Sequence, residues 1–389
     1  DVCDNIFAGG TPNTANSDYY DGDIPWIRSG EVDFNFIRSA ERNITQAGYE
    51  NSSAKWIRKN SVVMAMTGAT VAKSAVVEFA TTANQSVAAL EPSDQIDYKF
   101  LYYYISSQYE KIKGMAQGAL TSINLQIIKD ITVPVPPMEV QRKIVEVLDN
   151  FSELTAELTA ELTARQKQYE YYRDNLLSFN NINQGGQNEV KWLTLNDIGT
   201  FTRGRRFVRN DVVDEGYPCI HYGDMYTYYG LSATETKTFI NEDLASKLRF
   251  AHKNDVVIVG AGENDEDIGI GLAWLGDSAP AVHDACYIFM HKQNPKYISH
   301  YLRTHSYHQQ IKKYVSSGKI CSISAEGVGK AIIPIPSLDV QERIVEILDK
   351  FEKLTTDLAN GLPAEIKARQ QQYEYYRDKL LTFKRKEVA

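Results

Sequence analysis

At 389 residues the chain is too long for one ordinary domain, because a prior of roughly 150 residues per domain predicts two or three. An apolar content of 43% excludes wholesale disorder, and with no apolar run of about 18 residues a transmembrane helix is excluded as well. A net charge of −8 argues against a free-standing, non-specific nucleic-acid binder.

The chain opens "DVCDNIFAGG", without a basic, apolar leader, and the missing Met suggests that a few starting residues lie outside this numbering. Cys3, Cys219, Cys286 and Cys321 are scattered with no C-x-x-C pair, so they read as small buried apolar residues of a soluble, reduced, cytoplasmic protein. Residues 1–137 form a first globular block with 11 basic and 15 acidic side chains, a balance of −4. Its β-branched run Ser61–Met66 predicts a strand followed by a Gly-rich loop, and "DYKFLYYYISSQYEKIKGM" predicts a helix. Pro136 and Pro137 force extended backbone ahead of residues 138–180. There the apolar positions Val140, Ile144, Val147, Phe151, Leu154, Leu158, Leu162, Tyr169, Tyr172, Leu176 and Phe179 step by helical spacing. They predict one helix of about 40 residues, roughly 60 Å long. Inside it lies a four-residue repeat, "TAELTAELTA", from Thr155 to Ala164.

Residues 181–190 follow as a polar, Gly-containing linker. A second block spans 191–337, and residues 181–337 carry 16 basic and 17 acidic side chains, a balance of −1. Asp255–Val259 predicts a strand, and "PKYISHYLRTHSYHQQIKKYV" a helix. After Pro334 and Pro336, residues 338–385 carry a second stripe, from Val340, Ile344, Ile347 and Phe351 to Tyr373, Tyr376, Leu380 and Phe383. This helix is four residues longer between Phe351 and Arg369, and Gly361 and Pro363 predict a kink or break there. The fold class is mixed α/β: two α/β domains alternate with two long helices that bury their stripes against each other as an antiparallel coiled coil.

The chain is two copies of one plan. "RQKQYEYYRDNLLSF" from Arg165 returns as "RQQQYEYYRDKLLTF" from Arg369, with 12 of 15 positions identical. "VPVPPMEVQRKIVEVLDNF" from Val133 returns 200 residues later as "IPIPSLDVQERIVEILDKF". The globular blocks match more faintly, as in "IPWIRSGEV" with "YPCIHYGDM" and "NSVVMAMTG" with "NDVVIVGAG". Much of "QYEYYRD" faces away from the stripe, so two near-equal surfaces would offer two equivalent docking sites about a pseudo-two-fold axis, while two different blocks would read two different things.

Catalytic templates fail. "SAEGVGKA" has Ser324 and Ala331 where a phosphate-binding loop needs Gly and Ser or Thr, and "GAGENDEDIGIG" has Asp265 at the third glycine of a dinucleotide fingerprint. "VPVPPMEV" has Val133 and Val135 where a methyltransferase loop needs Asn or Asp. Asp265, Glu266 and Asp267 read as a solvated loop rather than a metal site. Histidines 283, 291, 300, 305 and 308 form no H-E-x-x-H pair and read as helical surface with core contacts.

Together the proline-rich entries, "VQRKIVEVLD" and "VQERIVEILD", the "QYEYYRD-LL-F" ends and "IPWIRSGEV" resemble the specificity subunit of type I restriction–modification enzymes, over essentially the whole chain. The "TAEL" repeat resembles the spacer of some members. The resemblance implies a non-catalytic, cofactor-free prokaryotic subunit whose two target-recognition domains each read half of a bipartite DNA sequence. The helices would set the spacing and dock two methyltransferase subunits that use S-adenosylmethionine. An ATP- and Mg-dependent restriction subunit would join them. As a ruler, each added Thr-Ala-Glu-Leu unit lengthens a helix by about 6 Å and is expected to change the tolerated spacer by about one base pair.

Base readers are expected among polar side chains on loops beside Gly-rich turns. In the first domain these are Arg28, Ser29, Thr67, Thr70, Lys73, Ser122 and Asn124. In the second they are Arg205, Arg206, Arg209, His221, Tyr222, Glu263, Asn264, Lys319 and Ser322. Partner docking falls to Gln141, Arg142, Tyr169, Tyr172 and Arg173, with Gln341, Arg343, Tyr373, Tyr376 and Arg377, although the tyrosines read equally as inter-helix core. Three alternatives stand beside this reading: a structural adaptor that reads no DNA, a stand-alone enzyme, and the specificity subunit of a two-subunit type II system.

Overall fold

A computed structural model of the chain describes residues 2–116, 122–179, 190–356 and 361–383. It divides into two compact units, one of Asp1–Glu157 with Lys367–Ala389, the other Leu158–Ile366. Each unit therefore combines a globular block with the start of its own long helix and the end of the other.

The two blocks repeat one sheet. In the first the spatial order is Cys3–Ala8, Val87–Pro92, Ser61–Ala65, Ser74–Val77, Phe36–Ile37. In the second it is Gly199–Arg203, Cys286–His291, Val256–Val259, Gly271–Trp274, Ser232–Ala233. Each sheet is antiparallel except for its last pair, which is parallel. Central strands such as Ser61–Ala65 and Val256–Val259 are wholly buried, which is why they read as continuous β-branched runs rather than alternating ones. The paired motifs "NSVV" and "NDVV" each begin with an Asn in the left-handed region, Asn60 at φ 65° and Asn254 at φ 74°, a conformation Asn tolerates better than most residues.

The helices predicted beside these sheets are shorter than their patterns suggest. The first divides into Tyr98–Ser107 and Tyr109–Lys113, the second into Pro295–Tyr301 and His305–Ile311. Thr304 causes the second division, since its side chain accepts from the Tyr307 amide and caps a new helix.

The first long helix spans Met138–Ser178. Its counterpart is two helices, Leu338–Thr356 and Leu362–Leu380, with Pro363 in the opening turn of the second, where its missing amide removes no bond. In one unit the ring of Phe151 stacks on Tyr376 at 5.5 Å; in the other Tyr172 stacks on Phe351 at 5.3 Å. The pairing is antiparallel, as low numbers on one strand of the pair meet high numbers on the other.

The face that each helix start buries differs from the predicted stripe. From 141 to 150 and from 341 to 350 the pattern of buried and exposed positions is the same, residue for residue. Gln141, Ile144, Val145 and Leu148 are buried, as are Gln341, Ile344, Val345 and Leu348, whereas Val147 and Ile347 stay 39% and 42% exposed. The buried face is centred about one residue from the expected one because a glutamine occupies its middle.

That glutamine overturns one set of expectations. Gln141 and Gln341 do not present themselves for docking; both are fully buried with their amides committed. Gln141 Oε1 accepts from the Asp97 amide at 2.8 Å, while Nε2 donates to the carbonyls of Gln95 at 3.0 Å and Pro136 at 2.8 Å. Gln341 Oε1 accepts from the Asn294 amide at 3.0 Å, and Nε2 donates to Gln293 Oε1 at 2.8 Å and the Pro336 carbonyl at 2.9 Å. Asp97 and Asn294 are themselves the N-caps of the block helices, so each glutamine fastens a cap. One and two turns further on, Asp149 binds Lys99 at 2.6 Å and the Tyr103 hydroxyl at 2.7 Å, and Asp349 binds Lys296 at 2.6 Å and His300 at 3.5 Å.

Replacing Gln341 by Ala leaves a buried amide and carbonyl unpaired and is expected to cost about 2–4 kcal/mol in chemical denaturation, while the exposed Arg343→Ala stays within about 0.5 kcal/mol. A second expectation concerns His291, whose Nδ1 accepts from the Gln293 amide while Nε2 is buried without a partner. Burial pushes its pKa down to about 4. The folded value lies below the unfolded one, so the unfolded chain binds the extra proton between about pH 6.5 and 4 and stability falls as pH drops through that window. His291→Phe is expected to remove most of an acid loss of about 3 kcal/mol.

Candidate nucleic-acid interface

The loops at one end of the second block form a cleft of about 1000 Å³, and it gathers residues far apart in sequence. Arg206, Phe207 and Arg209 line one wall, His221, Tyr222 and Asp224 another, with Glu263 and the His283–Ala285 turn completing it. Five sequence-predicted residues thus meet: Arg206, Arg209, His221, Tyr222 and Glu263.

Backbone geometry explains why the basic loop lies where it does. The Gly204 amide donates to the Cys286 carbonyl at 2.9 Å and that of Arg205 to Val282 at 3.0 Å. A Cβ on Gly204 would sit 2.2 Å from the His283 carbonyl oxygen, so only glycine permits this approach. Beyond it the Phe207 ring is buried, meeting the His283 ring edge-on at 5.0 Å, and His283 Nε2 lies 3.2 Å from the Phe207 carbonyl. Arg206 and Arg209 are exposed and have no carboxylate partner among the described residues.

The basic surface is wider than the sequence suggested. Arg205 donates to the Lys247 carbonyl at 2.8 Å, and Arg249 to the Arg203 carbonyl at 2.6 Å. Arg203, Arg205, Arg206, Arg209, Lys247 and Arg249 are all exposed, Arg203 facing Asp284 at 3.8 Å, so exposed cations gather around the basic loop of a nearly neutral block. Lys247 and Arg249 went unnoticed because they lie some 40 residues from "RGRRF", with no pattern of their own. His283 and Asp224 were missed too. Asp224 is buried, accepting from the Thr238 hydroxyl at 2.6 Å, and His283 is a cleft residue rather than helical surface.

Asn264, Lys319 and Ser322 lie on neighbouring segments. Ala261 pairs with Ser322 in a short ladder, and Asn264 Nδ2 donates to Asp267 at 3.2 Å. Lys319 is exposed.

In the first block the equivalent residues also converge, with a different electrostatic character. The Thr70 hydroxyl donates to the Ser29 carbonyl at 2.7 Å, and the Ile123 amide donates to Met66, bringing Ser122 and Asn124 beside Thr67. The second block repeats this bond from Ile323 to Gly260. Here, however, the cations are paired. Arg28 meets Glu41 at 2.6 Å and Glu31 at 3.8 Å, and Lys73 meets Asp33 at 2.5 Å. Asn124 caps the helix Leu125–Lys129 through the Ile127 amide.

On the long helices, Arg142 and Arg343 are exposed. Tyr172 and Tyr376 belong to the inter-helix stacks described above. Tyr169 is half-buried with its hydroxyl 3.0 Å from His300 Nδ1, and burial pushes that hydroxyl up to about 12. Arg173 and Arg377 repeat one arrangement, each over the ring four residues earlier, Tyr169 or Tyr373, and each bonded to the next aspartate. The middle tyrosines of the motif, Tyr171 and Tyr375, were passed over in sequence, yet they are 66% and 60% exposed.

No group of three or more metal-competent side chains and no helix long and apolar enough to cross a membrane is found among the described residues. A family model for the type I restriction modification DNA specificity domain matches residues 1–165 and 187–368. A putative type I restriction enzyme specificity subunit of Haemophilus influenzae is 32% identical over 77% of this chain and 76% of its own length. The EcoR124I/EcoR124II specificity subunit of Escherichia coli is 32% identical over 82% of this chain and 77% of its own. Among solved structures, the type I S subunit of M. genitalium superposes with a TM-score of 0.55 at 17% identity, covering 98% of this chain and 94% of that one. A chain from work on complex assembly and conformational transition of the type I R-M system reaches 0.64 at 16% identity, covering 98% and 95%. The duplicated blocks, the duplicated helices and these matches together show that the chain belongs to the type I restriction–modification specificity subunit family.

Proposed function

We propose that this chain is the non-catalytic DNA-reading subunit of a type I restriction–modification complex. Residues 1–137 and 191–337 each read one half of a bipartite site, and the long helices fix the gap and carry the partners. The observation that supports it best is the contrast between the doubled parts: the Gln141 and Gln341 clamps share the bond to the cap amide and the bond to the proline carbonyl, while the loop ends they hold up carry different polar residues. A chain built only as an adaptor has no need of a cleft lined by two exposed arginines, Arg206 and Arg209, without carboxylate partners among the described residues. In this reading the rim holds phosphates and Arg28, Thr70, His221, Tyr222 and Glu263 stand near base edges. Two adenine methyltransferase subunits, which carry S-adenosylmethionine, dock on the repeated helix surfaces around Arg142 and Tyr375 in one unit, Arg343 and Tyr171 in the other. An ATP-dependent restriction subunit joins that complex, and this chain holds no cofactor of its own.

Co-expression with the methyltransferase partner, followed by mapping of methylated adenines on genomic DNA, tests this. The expected result is a split motif with a fixed gap; a stable complex that methylates no shared motif would leave only the adaptor reading. Arg206→Ala with Arg209→Ala is expected to weaken binding of the assembled complex about equally on all sequences and to lower the slope of log K against log salt by about 2. Inserting one Thr-Ala-Glu-Leu unit after Ala164 is expected to lengthen the gap in the motif by about one base pair.

A further inference from the structure

The cleft of the second block holds a ring cluster whose hydrogen-bonding sense the backbone dictates. His221 and His283 lie with centroids 5.0 Å apart, and Tyr222 sits 4.6 Å from His221 and 5.2 Å from His283. Each histidine occupies the same local turn. The Gly223 amide donates to His221 Nδ1 at 3.1 Å, and the Ala285 amide donates to His283 Nδ1 at 3.1 Å. A nitrogen that accepts from an amide carries no proton, so in both rings the proton of the neutral imidazole is on Nε2. In His283 that proton is spent on the Phe207 carbonyl, 3.2 Å away. His283 is thus a positioning residue, holding the basic loop and packing its ring, tilted by 57°, against that of His221. His221 Nε2 has no hydrogen-bond partner among the described residues and is not among the buried unpaired atoms, so it opens into the cleft that the ring lines.

From this geometry we infer that His221 is a specificity-determining residue whose Nε2–H, a donor with no acceptor capacity, selects a base edge presenting an acceptor. In the major groove those edges are guanine N7 and O6, adenine N7 and thymine O4; cytosine offers only its amino donor and is rejected at that position. The inference rests on the DNA-reading function proposed above and adds to it the sense of one contact. Burial holds the ring's pKa below the usual histidine value, against the pull of Asp224, so the neutral donor form is the working one. The alternative of a protonated ring is opposed by the Gly223 amide, which would face a second donor.

The test uses the assembled complex and the motif read from its methylated adenines. Duplexes are then made in which single bases of the second block's half-site carry 7-deazapurine, or cytosine in place of the preferred base. The wild type is expected to lose about 3- to 10-fold in affinity at one position, the weight of one neutral hydrogen bond. His221→Phe, which keeps a ring against Tyr222 and His283 but has no donor, is expected to bind the substituted and parent duplexes alike. His221→Gln supplies both a donor and an acceptor and is expected to admit cytosine at that position, broadening the motif there and nowhere else. Two results overturn the inference: a half-site whose sensitivity to base substitution is the same in wild type and His221→Phe, or, should the Phe variant not assemble, a His221→Gln motif identical to wild type. Either would leave the split motif, and so the DNA-reading function, intact; loss of the split motif in the wild type itself would instead remove the reading on which the inference stands.

Discussion

A buried glutamine amide, used twice, is the contact from which each globular block hangs. Carboxamide chemistry suits the place: one group offers both an acceptor and two donors, so it can close an amide and two acceptors without bringing charge into the interior. A carboxylate at 141 or 341 would meet the amide but repel the carbonyls; a leucine would leave all three groups orphaned. Because the bonds go mainly to backbone, at Asp97 and Pro136 or at Asn294 and Pro336, the clamp is indifferent to the side chains of the loops at the reading end. Those loops are therefore free to change while the mounting stays the same.

Charge is divided unequally between the blocks, and the whole-chain balance hides this. Arg28, Arg38, Arg58 and Lys73 of the first block are each within 3 Å of a carboxylate. Exposed pairs of this kind contribute little to stability, but they do cancel the local field. The second block leaves Arg206 and Arg209 uncancelled beside a cleft whose two histidines are kept neutral by burial. In the DNA-reading role proposed above, phosphate attraction and base reading fall to different groups: guanidinium groups at the rim, uncharged donors and ring faces within. A neutral reader inside a positive rim gains discrimination that a cation would not, because a cation is drawn to every phosphate it passes.

How much of this was legible in the sequence follows from what sequence patterns record. The doubling, the long helices and the break near Pro363 were visible because they are periodic or involve residues with one strong backbone preference. Central strands were visible as unbroken β-branched runs. The buried face of each helix start lies one residue from the stripe that hydrophobic spacing marks, since a hydrophobic scan cannot count Gln141 as core, and for the same reason spacing alone points the clamp toward solvent. In the second block, "RGRRF" announced itself as a charge cluster, while Lys247, Arg249 and His283 join it only through strand pairing, which brings together segments with no local signature. Tyr171 and Tyr375 were overlooked for a subtler reason. In a motif with three tyrosines, spacing marks two for the stripe, and the third looks redundant until its exposure is known.

One position breaks the symmetry of the clamps and shows what the duplication can still vary. Tyr103 reaches Asp149 through a single hydroxyl; its counterpart His300 has two ring nitrogens and meets two partners, Asp349 through Nε2 and the Tyr169 hydroxyl through Nδ1. The ring is fully buried, and burial holds it below the ordinary histidine range although Asp349 pulls the other way. With Lys296 already on Asp349, the carboxylate is satisfied without a second cation, so a neutral imidazole can bridge a carboxylate and a phenol. The second block thereby gains a tie from its sheet-side helix to the tail of the first long helix, within one compact unit. Each mount thus meets the tail of the other long helix, the first through apolar side chains such as Tyr373, Leu380 and Leu381, the second also through the hydrogen bond that His300 makes with Tyr169.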